Sequence, residues 1–554
     1  MARWLSALST RDPASIAALV ALTMLVVTLM AGLLVPIYTD EIAWRMMLAR
    51  SSLDGGFDRG LGDQCGAGTV VMAPLFMQPM RHLSAWVALH VADPRAVRIS
   101  GVGLALLWVA MFWRLGRFLH QALRAPARAI GLSLLGLGVI PFLLVWSRPE
   151  QPLLIAYTGC LLIALSAQQR PAPTRPKHAW AAASGIAALG LVTLGYHPKA
   201  VVFLPITLFA AALSSRGREG QAARVAAIGL LVLCGLVASQ YWTTRLSCPG
   251  NPGLAAKLAH ENVASAIGAR TAFGAVDLLV RSALPWRYIK MATPPADYAY
   301  MSGWLPTLPV QPGIGAVWRF LSRTPWYAAI ILTLFLSVCG ALTALVRRAI
   351  DPRLALALTV VATVTAWSAT QINKNSYESS LQLPLAAIAL LLALSNLPQR
   401  LRPAVTACAL PLAAIAMFSQ ILLLGNYATA LAATAARPGP IDAQPFSYVP
   451  WGYPELRREI LAAARACALD PVRSRKLLVD DMTYFPLIQS REPLNRMAYF
   501  GPWHGTIGDP ITYLRTHGSS GAVVACAYLP PEVRAQAKAV GRFCCLGPWA
   551  GAAR

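Results

Sequence analysis

Two acidic residues, Asp40 and Glu41, follow the first long apolar segment of this 554-residue chain, and other polar clusters stand at the ends of later apolar segments. The turn SRPEQ supplies Arg148 and Glu150, GYHPK supplies Tyr196, His197 and Lys199, and QINKNSYES supplies Asn373, Lys374, Asn375, Tyr377 and Glu378. A carboxylate within hydrogen-bond reach of a hydroxyl can take its proton as the oxygen attacks. Fixed Arg, Lys or His donors stabilise the negative charge that gathers on a departing phosphate. Together these residue types suit the transfer of a group from a phosphate carrier onto a hydroxyl. Taken singly, each charge is also explained as an anchor at a membrane interface, where charges are cheap.

The elements that must position these residues are membrane spans. The chain is 56% hydrophobic and 13% charged, with a mean hydropathy of +0.53, a balance foreign to a soluble protein of this size. Segment 16–36 matches the roughly 20 apolar residues that a bilayer core requires. It lacks a small-residue cleavage site and reads as a retained first span. Further runs at 99–119, 129–147, 151–167, 179–195, 199–213, 225–241, 326–346, 354–371, 383–397 and 403–424 bring the expectation to about eleven transmembrane helices. Residues 69–91 are apolar too, but Pro74, Pro79, Arg81 and His82 interrupt them, so they read as helices lying on the outer face.

Basic residues give the orientation. Arg124 and Arg128, then Arg170, Arg175 and Lys177, then Arg216, Arg218 and Arg224, then Arg347, Arg348 and Arg353, then Arg400 and Arg402, fall on every second connection. Such connections belong on the cytoplasmic side. The amino terminus is then inside, and loops 37–98 and 242–325 and the tail are outside. The formal net charge of +25 is explained by these turns, and no motif points to nucleic acid. Loop 242–325 carries Trp286, Arg287, Tyr288, Lys290 and Trp304, able to cover a sugar or to lie in the headgroup layer.

The fold class expected is therefore an α-helical polytopic membrane protein with a small C-terminal α/β domain. Its membrane domain takes residues 1–424, a Pro-rich linker 425–445, and the outer domain 446–554. In that last part helices at 453–468, 510–516 and 531–539 alternate with short apolar runs at 476–479, 522–529 and 543–546. Asp480 and Asp481 close its first strand, a place for a ligand or, more commonly, for solvated turn residues. Cys160, Cys234, Cys339 and Cys408 fall inside spans. Cys65, Cys248, Cys467, Cys526, Cys544 and Cys545 fall outside, where disulfides can form: Cys65 with Cys248, and Cys467 with Cys526 or either member of the 544–545 doublet. Free thiols throughout are the alternative. No zinc-type spacing, P-loop or GxGxxG is present.

The order of a first span, an acidic pair just beyond it (YTDEIAWR), amphipathic outer helices, many further spans and an outer C-terminal domain resembles the GT-C superfamily of membrane glycosyltransferases. Protein O-mannosyltransferases, lipid A aminoarabinose transferases and mycobacterial arabinosyltransferases belong to it, and SRPEQ is similar to the Arg-Pro-Glu turn of the arabinosyltransferase branch. The resemblance covers residues 1–424. It implies Asp40 as the catalytic base, Glu41 as its neighbour and Glu150 as a second acidic residue. It also implies a polyprenyl-phosphate-linked sugar donor and inversion at the anomeric carbon, with the acceptor left open among a glycan, a lipid and a protein. The short, Ala- and Arg-rich inner turns point to a bacterial inner membrane, and an archaeal membrane reads similarly. Whether a divalent cation takes part is left open. Arg148, His197, Lys199 and Lys374 are the cations expected at the donor phosphate on their chemistry alone. Two other classes compete. An O-antigen polymerase or ligase type of enzyme would depend on Arg and His in loop 242–325 and tolerate loss of Asp40. A transporter or lipid flippase would carry its ionisable groups at mid-membrane, where few occur.

Overall fold

The computed structural model describes residues 12–35, most of 37–48, 57–59, 70–170, 175–246, a few of 271–277, 286–292, 311–370, 378–435, most of 453–490, 494–495 and most of 509–549. Cys65, Cys248, Trp304, Lys374 and Asp481, and most of loop 242–325, lie outside the described residues.

Among the described residues nine helices are long and apolar enough to cross a membrane: Pro13–Leu34, Pro94–Phe118, Glu150–Gln168, Pro176–Tyr196, Gln221–Thr244, Pro312–Arg347, Pro352–Ala369, Ser379–Asn396 and Gln399–Thr429. The chain is a multi-pass membrane protein. Each of the nine coincides with an expected span, and the other two expected segments are helical but shorter. Segment 129–147 is divided between helices Gln121–Leu135 and Ile140–Leu144. Between them Gly138 takes a φ of 61°, a conformation for which glycine has no steric penalty. Segment 199–213 is the 14-residue helix Lys199–Ala212, with Pro205 inside it. The last long helix continues to Ala435, so residues 425–435 are helical rather than linker. Of residues 69–91, Val70–Met72 pairs antiparallel with Phe57–Arg59. The helix that follows, Gln78–His90, has 13 residues, about 20 Å, too short for a bilayer core of about 30 Å.

Helix 379–393 is the hub. Apolar on every side, it buries all of its residues except Ala386, as a helix hydrophobic all round must. Its neighbours include helices 312–347, 352–370, 121–135 and 150–168. The first span presents a stripe of Ala14, Ala17, Ala18, Ala21, Leu25 and Leu29 to helices 121–135 and 402–435. Small residues at such contacts let backbones approach closely. Buried side-chain hydrogen bonds pin the registers: Thr28 Oγ1 donates to Gln420 Oε1 at 2.6 Å, Trp108 Nε1 to Thr158 Oγ1 at 3.0 Å, and Trp318 Nε1 to Ser419 Oγ at 2.9 Å. Large apolar side chains such as Phe320, Phe335, Leu233 and Leu236 point outward from the bundle, as a lipid-facing surface requires.

The two ends of the bundle differ chemically. At one end the basic connections meet: Arg353 Nη1 donates to Phe118 O at 3.1 Å, Arg402 Nη1 lies 3.3 Å from His120 Nδ1, and Arg216 Nε donates to Gln168 Oε1 at 3.3 Å. The acidic pair and the turns SRPEQ and GYHPK stand at the other.

The C-terminal part is α/β, with strands β3 (Leu478–Val479), β4 (Leu494–Asn495), β5 (Ala522–Ala525), β6 (Lys538–Val540) and β7 (Phe543–Leu546) following β1 and β2 of the 57–72 hairpin. Their order is β4-β3-β5-β7-β6, parallel from β4 through β5 and antiparallel from β5 to β6. The helix expected over 531–539 ends at Arg534, and β6 follows because its partner β7 pairs Lys538 with Cys545 and Val540 with Phe543. Disulfides Cys467–Cys545 and Cys526–Cys544 staple this sheet to its helix and connecting turn; Cys160, Cys234, Cys339 and Cys408 are free. Asp480 is neither solvated nor turned toward a ligand cleft. It is buried, its Oδ1 accepts from the amides of Met482 and Thr483 at 2.8 and 2.9 Å, and its Oδ2 accepts from Ala525 N at 2.5 Å. The carboxylate thereby ties β3 to β5.

Candidate active site

The segment after the first span is helical over residues 40–42 and 44–46 and is held from two sides. Ile37, Ile42 and Met46 share one apolar core with Tyr453, Leu456, Phe485 and other residues of the C-terminal domain. Arg45 reaches across, donating to Val91 O at 2.7 Å with its guanidinium 6.0 Å from the Phe485 ring centroid. The C-terminal domain thus sits on the segment that carries the acidic pair.

The pair divides into two environments. Glu41 is fully buried and receives two bonds from Arg98, Nη1 to Oε1 at 3.2 Å and Nη2 to Oε2 at 2.8 Å. The amide of Ser147 donates to the same Oε1 at 2.5 Å. Arg98 also donates to Val35 O at 3.0 Å and Val145 O at 2.9 Å. This dry knot fastens the exit of the first span to helix 94–115 and to the SRPEQ turn. At Gly101 a Cβ would stand 2.1 Å from Val145 O, so only glycine admits the turn so close. Removing one partner of a buried pair leaves an uncompensated charge, and Arg98→Ala is expected to destabilise the protein by about 3–5 kcal/mol, read as a lowered unfolding midpoint in detergent.

Asp40 keeps a side chain 34% exposed, and its Oδ2 lies 2.8 Å from Arg148 Nη1. From there an ion ladder runs inward. Arg148 Nε contacts Glu150 Oε2 at 3.3 Å, Lys199 Nζ bridges to Glu150 Oε1, and the same Nζ lies 2.6 Å from Glu378 Oε1. Trp367 Nε1 donates to Glu378 Oε2 at 3.1 Å and its ring centroid stands 5.7 Å from Lys199 Nζ. Exposure falls steeply, from 34% at Asp40 to 10% at Arg148 and 1% at Glu150. Three carboxylates alternate with two cations, and water reaches chiefly the first.

Local sequence explains each placement. Pro149 and Pro198 start the helices that carry Glu150 and Lys199 in their first turns, a position favoured for proline because no intrahelical N–H is lost. Glu378 precedes the hub helix as its N-cap residue, where a carboxylate complements the helix dipole. His197 accepts the amide N–H of Lys199 at Nδ1, 3.1 Å, and its ring lies 4.9 Å from Trp44. His197 therefore shapes the wall beside the ladder.

Of the residues singled out from sequence, Asp40, Arg148, Glu150 and Lys199 are joined in one network; Glu41 lies in the adjoining knot. Glu378 belongs to the network but was not among the residues singled out as a site, because Lys374 in the same turn drew the phosphate reading. In the chain Glu378 stands five residues before the expected span 383–397, and no local pattern ties it to Lys199. Tyr288 is buried beneath the hub helix, its carbonyl accepting from Ser379 Oγ at 3.1 Å, which removes it from the surface expected to cover a sugar. Trp286 packs edge-on to Tyr327. Among the described residues no three His, Cys, Asp or Glu side chains converge to hold a metal ion, and the ladder's carboxylates are held apart by the cations between them.

No family model matches the chain and no curated protein does. Among solved structures it is similar to ArnT from Cupriavidus metallidurans bound to undecaprenyl phosphate, at 14% identity over 97% of this chain and 98% of that one, with a TM-score of 0.35. The apo state of that protein gives 15% identity, coverage of 97% and 98%, and a TM-score of 0.31. The Archaeoglobus fulgidus oligosaccharyltransferase gives 11% identity over 93% of this chain and 68% of that one, with a TM-score of 0.40. At these scores the likeness fixes neither family nor activity.

Proposed function

We propose that this chain is an inverting membrane glycosyltransferase of the GT-C type, moving a sugar from a polyprenyl-phosphate donor to a cell-envelope acceptor at the outer membrane surface. The observation that carries the reading is the contact between Asp40 and Arg148: the one ladder carboxylate with substantial exposure is aimed by a guanidinium that is itself backed by a buried Glu150. The Arg-rich end of the bundle faces the cytoplasm under the charge rule, which puts the ladder outside.

In this mechanism the donor phosphate competes with Asp40 for Arg148 and releases the carboxylate to face the acceptor. The acceptor oxygen attacks the anomeric carbon as its proton passes to Asp40. The bond from that carbon to the phosphate oxygen breaks, and the electron pair leaves with the phosphate, whose added charge Arg148 stabilises. Lys199 does not touch the phosphate. Between Glu150 and Glu378 it fixes the inner end of the ladder and so the direction of Arg148. Glu41, through Arg98, holds the backbone that carries Asp40.

The test is transfer by the full chain in proteoliposomes supplied with polyprenyl-monophosphate donors labelled in a hexose, a pentose or an amino sugar, together with an envelope extract as acceptor. One labelled sugar is expected to leave the lipid fraction with one polyprenyl phosphate formed per transfer. Release only from pyrophosphate-linked oligosaccharides would instead establish the polymerase or ligase type. Donor lipid crossing the bilayer with its sugar still attached would establish a flippase.

A further inference from the structure

At the end of the bundle opposite the ion ladder, helices 94–115, 150–168 and 176–196 enclose a groove of about 550 Å³. Helix Glu150–Gln168 joins the two places, and its 19 residues set them about 28 Å apart, close to a bilayer core. The mouth of the groove is cationic, lined by Arg114, Arg170 and His178, and its floor is apolar, lined by Met111, Leu162 and Ile163 among others. Arg175 and Lys177 stand beside His178 at the start of its helix, so positive charge collects on this side of the groove. No Asp or Glu occurs in residues 94–149 or 151–218; Glu219 follows, exposed in the turn after helix 199–212.

Three features point to one kind of occupant. Mutually repelling cations around a groove gain from an anion. The apolar floor lies on helices that face the hydrocarbon, so the anion must carry chains. Ser166, Ala167, Ala181 and Ala182 also line the groove, and their small side chains leave room in it for an acyl chain. We infer that this groove is a binding site for an anionic phospholipid, its headgroup phosphate between Arg114, Arg170 and His178 and one acyl chain along Leu162 and Ile163. The site is separate from the sugar-transfer reading and stands whether or not that reading does.

Native mass spectrometry of the full chain in detergent, titrated with phosphatidylglycerol or phosphatidylcholine, tests it. Wild type is expected to hold phosphatidylglycerol about tenfold more tightly, since each basic group near an anionic headgroup contributes severalfold. The triple variant Arg114→Ala, Arg170→Ala, His178→Ala should lose that preference, and Arg347→Ala with Arg348→Ala should keep it. Ala181→Trp leaves every charge in place but fills the groove from its exposed rim, and should also abolish binding, which guards against a triple variant that fails to fold. Equal affinity of wild type for the two lipids, preference retained in both groove variants, or equal loss in the Arg347 and Arg348 control would each overturn the site. So would displacement by inorganic phosphate at millimolar concentration, because a lipid held by its chain as well as its head is not displaced by the head alone.

Discussion

Asp40→Asn lowers the rate of sugar transfer by about 10²–10⁴-fold, the contribution of a positioned general base, while the protein stays folded. The amide keeps the shape and one acceptor oxygen for Arg148 but cannot take the proton. Stability should change little, because the Asp40 side chain is 34% exposed and ion pairs with that access to water are worth at most about 1 kcal/mol. The measurement is initial rate in proteoliposomes at saturating donor, paired with the thermal unfolding midpoint of the same preparation. Asp40→Glu, one methylene longer, should retain more activity than Asn, since the carboxylate remains within the reach of Arg148. Glu41→Gln makes the internal control: it weakens the bidentate hold of Arg98 and should register first as a lower unfolding midpoint. Transfer by Asp40→Asn within a few fold of wild type would eliminate the proposed base and favour an enzyme working from loop 242–325.

How far the residues announced this arrangement depends on the range of the interaction. Spans were legible because a bilayer imposes a length on an uninterrupted apolar run, and all nine long helices were anticipated. The segment that came out divided contains the reason in its own sequence, Pro141 with Gly136 and Gly138, whereas 199–213 was a short run in the chain itself and forms a helix of nearly that length after Pro198. The opposition of an Arg-rich end to an acidic end follows from alternation of short connections, again a local property. Pairings across the bundle are another matter. SRPEQ displays Arg148 and Glu150 two residues apart, but nothing local tells that Lys199 reaches Glu150 or that Glu378 completes the line. Arg98 stands 57 residues from Glu41, at the edge of a hydrophobic run where an arginine reads as an interfacial anchor. Asp480 looked like a turn residue because turns are where most such residues lie; its burial depends on β5, which joins β3 from more than forty residues away.

Lys199→Met is expected to cost about 3–5 kcal/mol of stability and most of the transfer activity. The ammonium is 8% exposed and stands between Glu150 and Glu378, which are 1% and 7% exposed. With it gone, two buried carboxylates confront each other across an apolar side chain, and breaking a buried pair has a penalty of that size. The second substitution Glu378→Gln, made on the Lys199→Met background, removes the charge left without its cation, since Glu150 keeps Arg148, and leaves an acceptor for the Trp367 N–H that now donates to Glu378. The double variant should therefore be more stable than Lys199→Met alone, with a coupling energy between the two positions of about 0.5–3 kcal/mol. Unfolding midpoints of the four proteins in one detergent give the cycle. Activity adds what stability cannot: if Lys199 acts by directing Arg148, the double variant recovers its fold before its rate, because Glu150 has lost the cation opposing its pull on Arg148. Additive unfolding shifts would mean that the two side chains do not share one charge balance, and Lys199 and Glu378 would then not belong to one ladder. Full activity in Lys199→Met would equally break the chain of contacts from Glu378 to Asp40 on which the placement of the base depends.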